Sequence, residues 1–474
     1  MADFDDASQA FIAWLRQLGA EISPKICLAD LRNREAGRGV IAMNNIAEHE
    51  LLFRIPRSAI LSVENSILAT EVPAATFEML GPWLSLILVM LYEHLNGEAS
   101  NWAAYFDILP TRFDTLMFWS DDELAELQAS AVVQKIGKES AEAMFMEQLL
   151  PVIREFADTF FAGEERARQK AEEMRDERDV ALMHRMGTLI MAYAFDVEPA
   201  TPKDDVDDEG FAEQVEEEAL PKGMVPLADM LNADADRCNA RLFYEKDYLE
   251  MKALKPITAG EEILNDYGSL PRSDLLRRYG YVTDNYKQYD VVEIPMDLVA
   301  EVITAEGGWS EQRLDYLDER DVVDNGYDIA TSTPYSLQES LSPELIILVE
   351  TLLLSQEEFD TLKRKSKLPR PERITSRGAL VLHKLIEARI AKYTTSLEQD
   401  LQSTSSVSNG INSTKQHRYK MAKAVRIGEK FLLKQTHEAL AEIIARDTST
   451  TKRQRAVDEE GDVEMSGTGK KQRA

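Results

Sequence analysis

Two blocks of β-patterned sequence stand far apart in this chain, with a long helical stretch between them. The first is "GRGVIAMNNIAEHELLFRIP" at 37–56, where short runs of Val, Ile, Leu and Phe are broken by turn-like polar residues. The second runs over 239–267. There "NARLFYE" and "YLEMKAL" flank Lys246-Asp247, which predicts a hairpin, and "EEILNDYG" follows "ITAG". From 82 to 195 the pattern is helical, beginning with "GPWLSLILVMLYEHLNG". This order implies one β-rich unit whose halves lie before about 82 and after about 222, split by a helical insertion. From 295 the chain reads as helical again. Leu382, Ile386 and Tyr393 mark one helix and Ala424, Ile427 and Phe431 another, an all-α domain.

A length of 474 residues suits two folded units, and 44% hydrophobic residues suffice for their cores. The apolar run "LSLILVML" at 84–91 is too short to span a bilayer. The N-terminus starts acidic and turns amphipathic, with Phe11, Leu15 and Leu18 on one helical face, unlike a signal peptide. Cys27 and Cys238 are the two cysteines, which excludes a disulfide framework or a Cys-rich zinc cluster and fits a reducing compartment. The six histidines form no HExxH or HxxxH pair, and His184, inside a helical pattern, reads as structural; no metal is expected. The net charge of −30 argues against direct nucleic-acid binding and is compatible with a basic protein partner. One third of it is local, since residues 196–221 hold eleven acids and one lysine and read as a disordered loop. "QSTSSVSNGINST" reads as a flexible loop, and the polar tail at 447–474 as disordered, with "KRQR" at 452–455 a candidate nuclear import signal.

A P-loop, a dinucleotide fingerprint and a GxSxG nucleophile elbow are all absent. What remains is four separated pieces: "AGRGVIA" at 36–42, "MAYAFD" at 191–196, "VPLADMLNADADRCNARL" at 225–242 and "NDYGSLPRSDLLRRYGYV" at 265–282. In this order and spacing they resemble the SET-domain protein methyltransferases. The matching subgroup has a helical insertion and a helical C-terminal domain, typified by the Rubisco large-subunit methyltransferase. "NWAAYFDILP" at 101–110 and "MFWSDDELAELQ" at 117–128 add to the match, and "LLRRYGYV" turns it toward the ribosomal-lysine enzymes of that subgroup.

The resemblance implies an α+β fold. An N-terminal helix (1–22) precedes a β-rich SET core (23–268). The connection 269–294 carries the Tyr-Gly-Tyr motif, a helical substrate-binding domain covers 295–446, and the tail follows. It implies S-adenosylmethionine as methyl donor, lysine N-methylation, a monomer and a nuclear location with the cytoplasm also open. The implied acceptor is a 60S ribosomal protein, the one numbered forty-two, carrying one methyl. A transcription-factor or histone lysine, or a histidine, stays open as acceptor. So does a catalytically silent SET-like scaffold for ribosome assembly.

By motif position, Tyr267 resembles the family's catalytic tyrosine. Gly37, Arg38, Gly39, Tyr193, Asn232, Ala233, Tyr267 and Tyr279 resemble its cofactor contacts, and Trp102, Ala194, Asp196 and Tyr281 its substrate side. Two positions depart from the family: the common Asn-His is Asn232-Ala233, and an arginine of the plant-type motif is Tyr193. The chemistry suits aromatic walls. A lysine ammonium, with a reference pKa of about 10.4, must lose a proton before it attacks. An apolar channel favours the neutral amine, while ring faces still tolerate a cation.

Overall fold

The two β-patterned blocks pair with each other. In the computed structural model, which describes residues 4–32, 36–163, 165–197, 220–403 and 413–466, strand β4 (Leu51–Pro56) from the first block lies antiparallel to β8 (Tyr248–Ala253) from the second. With β1 (Glu21–Ile22) and β7 (Ala240–Tyr244) they form a sheet of order β1-β4-β8-β7. The β7–β8 hairpin closes as expected around Lys246-Asp247, where Glu245 N–H donates to the Tyr248 carbonyl at 2.9 Å. A second sheet joins β2 (Ile26–Asp30), β3 (Arg38–Ala42) and β9 (Glu262–Ile263) in that order. A short ribbon pairs β5 (Ala194–Asp196) with β6 (Lys222–Met224). Segments about 200 residues apart thus share sheets because each buries apolar side chains, as in β4, where Leu52, Phe53 and Ile55 are buried.

The chain divides into two compact units. The first comprises 1–118, 136–269 and 276–281; the second comprises 119–135, 270–275 and 282–474. In the first, the helix Ala74–Asn96 is long and apolar enough to cross a membrane by length and composition, which the run at 84–91 alone is not. Gly81 interrupts it (φ 69°, ψ 172°), and residues 84–91 are buried in the core of this unit. The N-terminal helix Phe4–Gln17 buries Phe11 and Leu15 as expected; Leu18 lies beyond its end and is 39% exposed. The helix Glu177–Tyr193 starts at a capping box, in which Asp176 accepts from the Arg178 and Asp179 amides. It runs directly into β5, so its last turn delivers Tyr193.

The second unit departs from the expected boundaries. Residues 119–135 were expected within the insertion of the SET core, but their polar partners lie in the C-terminal helices. Glu123 pairs with Arg418 at 2.8 Å, Arg426 donates to the Glu126 carbonyl at 2.6 Å, and Ser130 donates to Glu429 at 2.6 Å. The expected 269–294 connection is likewise shared between the units. Nor is this unit wholly helical: β10 (Val291–Pro295) and β11 (Gly326–Ala330) pair antiparallel, with Val292, Ile294, Tyr327 and Ile329 facing its core. In the helix Ser413–Ser466 the buried stripe is Met421, Ala422, Val425, Leu432, Leu433 and Leu440, whereas Phe431 is 54% exposed. That helix continues to Ser466, through most of the tail expected to be disordered. Most of the expected acidic loop (198–219), residues 404–412 and the last eight residues lie outside the described residues.

Candidate active site

After β9 the chain runs beside the segment that follows Leu231. Asn265 N–H donates to the Asn232 carbonyl at 2.9 Å, and Ala233 forms a parallel bridge with Asn265. This register brings Tyr267 to Leu231, and the Tyr267 hydroxyl donates to the Leu231 carbonyl at 2.9 Å. The Tyr267 ring stacks on Tyr279 with centroids 4.5 Å apart and planes 15° from parallel. Tyr281 meets Tyr279 at 6.3 Å and 56°. The three tyrosines of the 265–282 segment therefore form one cluster. Gly280 between two of them is obligatory, because it has φ 76° and a Cβ there would lie 2.8 Å from the Thr115 amide nitrogen.

The cluster is dry. Burial pushes the Tyr267 hydroxyl well above its ordinary pKa, with Tyr281, Tyr279, Tyr193 and Asp229 adding to the effect. Tyr193 is pushed up to about 12, by burial first and then by Asp229. Both are neutral phenols at physiological pH.

Four of the expected cofactor residues, Gly37, Arg38, Gly39 and Asn232, lie on or beside β3. The Asn232 side-chain amide donates to the Arg38 carbonyl at 3.2 Å and to Glu262 Oε1 at 2.8 Å. Gly39 has no room for a side chain: a Cβ would come within 2.5 Å of Leu31 Cδ1 and 3.0 Å of both Asn232 Nδ2 and Glu262 Oε1. Gly37 offers its carbonyl to the Leu31 amide at 2.7 Å. The Arg38 guanidinium turns elsewhere: it donates to Ser8 Oγ and to the Ile108 carbonyl and lies 4.2 Å over the Phe4 ring. Only the Arg38 backbone faces Asn232. The backbone of 37–39 beside a fixed amide, next to stacked phenols, fits a cofactor with polar groups and a cationic centre.

The substrate-side residues divide. Ala194 and Asp196 sit half-buried on β5, and Asp196 pairs with Lys222 at 2.5 Å across the ribbon. Trp102 is a correction: it is 3% exposed, and its indole N–H donates to the Ala59 carbonyl at 3.1 Å, which makes it a core residue. His184 is buried as expected, with Nε2 3.0 Å from Glu142 Oε1.

Three residues of the site escaped the sequence reading: Glu262, Tyr105 and Asp229. Asp229 lies in the short 3₁₀ turn Ala228–Met230, which follows Leu227 in a positive-φ conformation (φ 76°, ψ −38°). Strain of this kind costs on the order of 1–3 kcal/mol and persists where surroundings enforce it. The Asp229 side chain is fully enclosed and accepts a short hydrogen bond from the Tyr105 hydroxyl through Oδ2. Its Oδ1 is buried without a hydrogen-bond partner among the described residues. Burial pushes its pKa up to about 7. A lone acid inside the apolar run "VPLADML" was the available signal.

Comparison with known proteins agrees with this geometry. Residues 37–268 match the family described as SET domain, and residues 310–433 the one described as Rubisco LSMT substrate-binding. Ribosomal lysine N-methyltransferase 4 of Saccharomyces cerevisiae is 34% identical over 75% of this chain and 73% of its own length. N-lysine methyltransferase SETD6 of Rattus norvegicus is 28% identical over 90% and 89%. Among solved structures, the SET domain of LSMT bound to lysine and AdoHcy shares the fold, with a TM-score of 0.65 at 20% identity over 93% of this chain and 92% of that one. The chain belongs to the SET-domain protein-lysine methyltransferases, enzymes whose methyl donor is S-adenosylmethionine.

Proposed function

We propose that this protein monomethylates a lysine of a 60S ribosomal protein, the one numbered forty-two, and that Tyr267 is its catalytic residue. The observation that carries the chemistry is the fixed Tyr267 hydroxyl, whose proton is committed to the Leu231 carbonyl at 2.9 Å. Its oxygen lone pairs are thereby left to accept an N–H of the incoming amine.

When bound, S-adenosylmethionine supplies an electrophilic methyl group on a sulfonium. Gly37, Gly39, the Arg38 backbone, Tyr193, Asn232, Ala233 and Tyr279 would hold it, and their bare backbone and aromatic faces fit it. The protein's task is then positioning, because displacement at a methyl carbon needs donor, methyl and amine in line. Tyr267 and Tyr281 wall the lysine path. A half-buried aromatic wall that shields the amine from water lowers the ammonium pKa, and the amine sheds its proton to solvent. Tyr267 is not the base, since a phenol held well above its ordinary pKa neither arrives ionised nor accepts that proton readily.

The ribosomal acceptor is supported by the printed name of the yeast relative and by charge. A chain at −30 attracts a very basic ribosomal protein, and steering of this kind accelerates encounter. A nuclear site of action is supported by "KRQR" at 452–455, and a monomer without direct nucleic-acid contact completes the reading. The SETD6 relatives are named as N-lysine methyltransferases without an acceptor, which supports a second reading with the same chemistry on another protein lysine.

The test offers tritiated S-adenosylmethionine and the purified protein to ribosomal subunits from a strain lacking it, with free histones as competitor. Label on one 60S protein, mapped to a singly methylated lysine and lost in Tyr267→Phe, is the expected result. Label on histones alone overturns the ribosomal assignment and keeps the chemistry. Absence of both label and donor binding overturns the enzymatic reading.

A further inference from the structure

One group of side chains in the second unit has no part in the chemistry above. His383 and Glu387 stand four residues apart on the helix Ser376–Ala391, hence one above the other on the same face. His437 comes from the helix Ser413–Ser466, which packs against it. One donor atom from each of the three lies within 4.8 Å of the other two.

The spacings are informative. Glu387 Oε1 is 3.4 Å from His437 Nε2 and 3.8 Å from His383 Nδ1. Both are longer than a good N–H···O bond of roughly 2.7–3.2 Å. They approach the separation of about 3.3 Å between two donors on a tetrahedral zinc, each at about 2.0–2.1 Å from the ion. The two imidazole rings lie 3.9 Å apart, tilted by 35°, a contact that two imidazolium cations would oppose.

We propose that His383, Glu387 and His437 bind a divalent transition-metal ion, zinc being the best match, and that the ion clamps two helices of the second unit. Two imidazoles and one carboxylate suit zinc and its neighbours, whereas Ca²⁺ and Mg²⁺ require oxygen donors. Three protein donors leave one coordination position for water. Approach is open, because the three side chains are 19%, 56% and 33% exposed in sequence order. Methyl transfer has no use for the ion. Its effect is on stability, since an ion held only by the folded helix pair raises stability by mass action.

The test uses the full chain, prepared without a polyhistidine tag, stripped with a chelator and titrated by calorimetry with Zn²⁺ and separately with Mg²⁺. The expected result is one Zn²⁺ equivalent that raises the melting temperature, with no response to Mg²⁺. Affinity falls about tenfold or more in His383→Ala and His437→Ala, and the methylation rate of the metal-free protein is unchanged. Either alanine could loosen the helix pair, so Glu387→Gln is run beside them. A four-coordinate Co²⁺ absorption band, present in the wild type and lost in Glu387→Gln, reports the site independently of stability. No zinc equivalent, or one whose affinity is the same in all three variants, overturns the proposal.

Discussion

Tyr267 and Tyr279 lie face to face, 4.5 Å between ring centroids, while the Tyr267 hydroxyl is held at its far end by the Leu231 carbonyl. The ring is thus fixed by a stack and the oxygen by a hydrogen bond, and the two constraints come from different parts of the chain. Such double restraint is what a positioning residue needs, because catalysis by alignment loses rate with small displacements.

Tyr267→Phe separates the two constraints. The stack survives, so stability changes by only about 1 kcal/mol, the net value of one hydrogen bond. With the oxygen gone, kcat falls about 100-fold or more, as for loss of a single aimed polar group. Single-turnover transfer from labelled donor measures the loss of rate, and calorimetry should find donor affinity within about threefold of wild type.

Tyr279 tests the other constraint. Tyr279→Phe keeps an aromatic face and should retain most activity. Tyr279→Ala removes a stack worth about 0.5–1.5 kcal/mol and a wall of the cluster, so donor Kd should rise about tenfold. Equal Kd values for the two variants would show that the ring face is not what binds.

Much of the candidate site's geometry was legible because it lies in short motifs with unusual residues. Tyr-Gly followed by Tyr-Gly-Tyr named the cluster, and "AGRGVIA" named the strand beside Asn232. What stayed hidden depends on contacts across the sequence. Trp102 reads as a substrate-side aromatic until the Ala59 carbonyl is found at its indole nitrogen. Residues 119–135 read as part of the insertion until Glu123, Glu126 and Ser130 are seen paired with the last long helix. The buried stripe of that helix was obscured because its inward side also carries Arg426, Glu429 and Lys430, buried charges that break the apolar period. Arg426 and Lys430 both pair there with Asp400, at 3.1 and 2.6 Å.

Gly39→Ala asks whether bare backbone is required at the Asn232 amide. Its Cβ would stand 3.0 Å from both Asn232 Nδ2 and Glu262 Oε1 and closer still to Leu31, so the pair must part or β3 must shift. Overpacking of this kind costs about 1–3 kcal/mol. Donor binding should weaken more than the melting temperature falls, which calorimetry and thermal unfolding on one preparation would separate.

Trp102→Phe decides the residue's role. As a core residue bonded to Ala59, it should cost about 1–3 kcal/mol in stability through lost volume and an orphaned carbonyl. KM for the protein substrate should stay at the wild-type value. A rise in KM without loss of stability would return Trp102 to the substrate side.

Asp229→Asn should change how stability depends on pH. In the folded chain this carboxyl has a pKa of about 7, raised by burial from an ordinary value of 3.8. Between those limits the native state keeps a proton that the unfolded chain has released, so the contribution of Asp229 to stability falls as pH rises, then levels off above about 7. Asparagine is neutral throughout and can still accept from the Tyr105 hydroxyl. The variant should therefore match the wild type near pH 4 and become progressively more stable than it toward pH 8, by up to a few kcal/mol. Glu429, also raised to about 7, is present in both proteins and cancels in the difference. Thermal unfolding of the pair across that range measures it. A difference that is constant with pH would mean that Asp229 is already ionised in the folded protein, held by partners other than Tyr105.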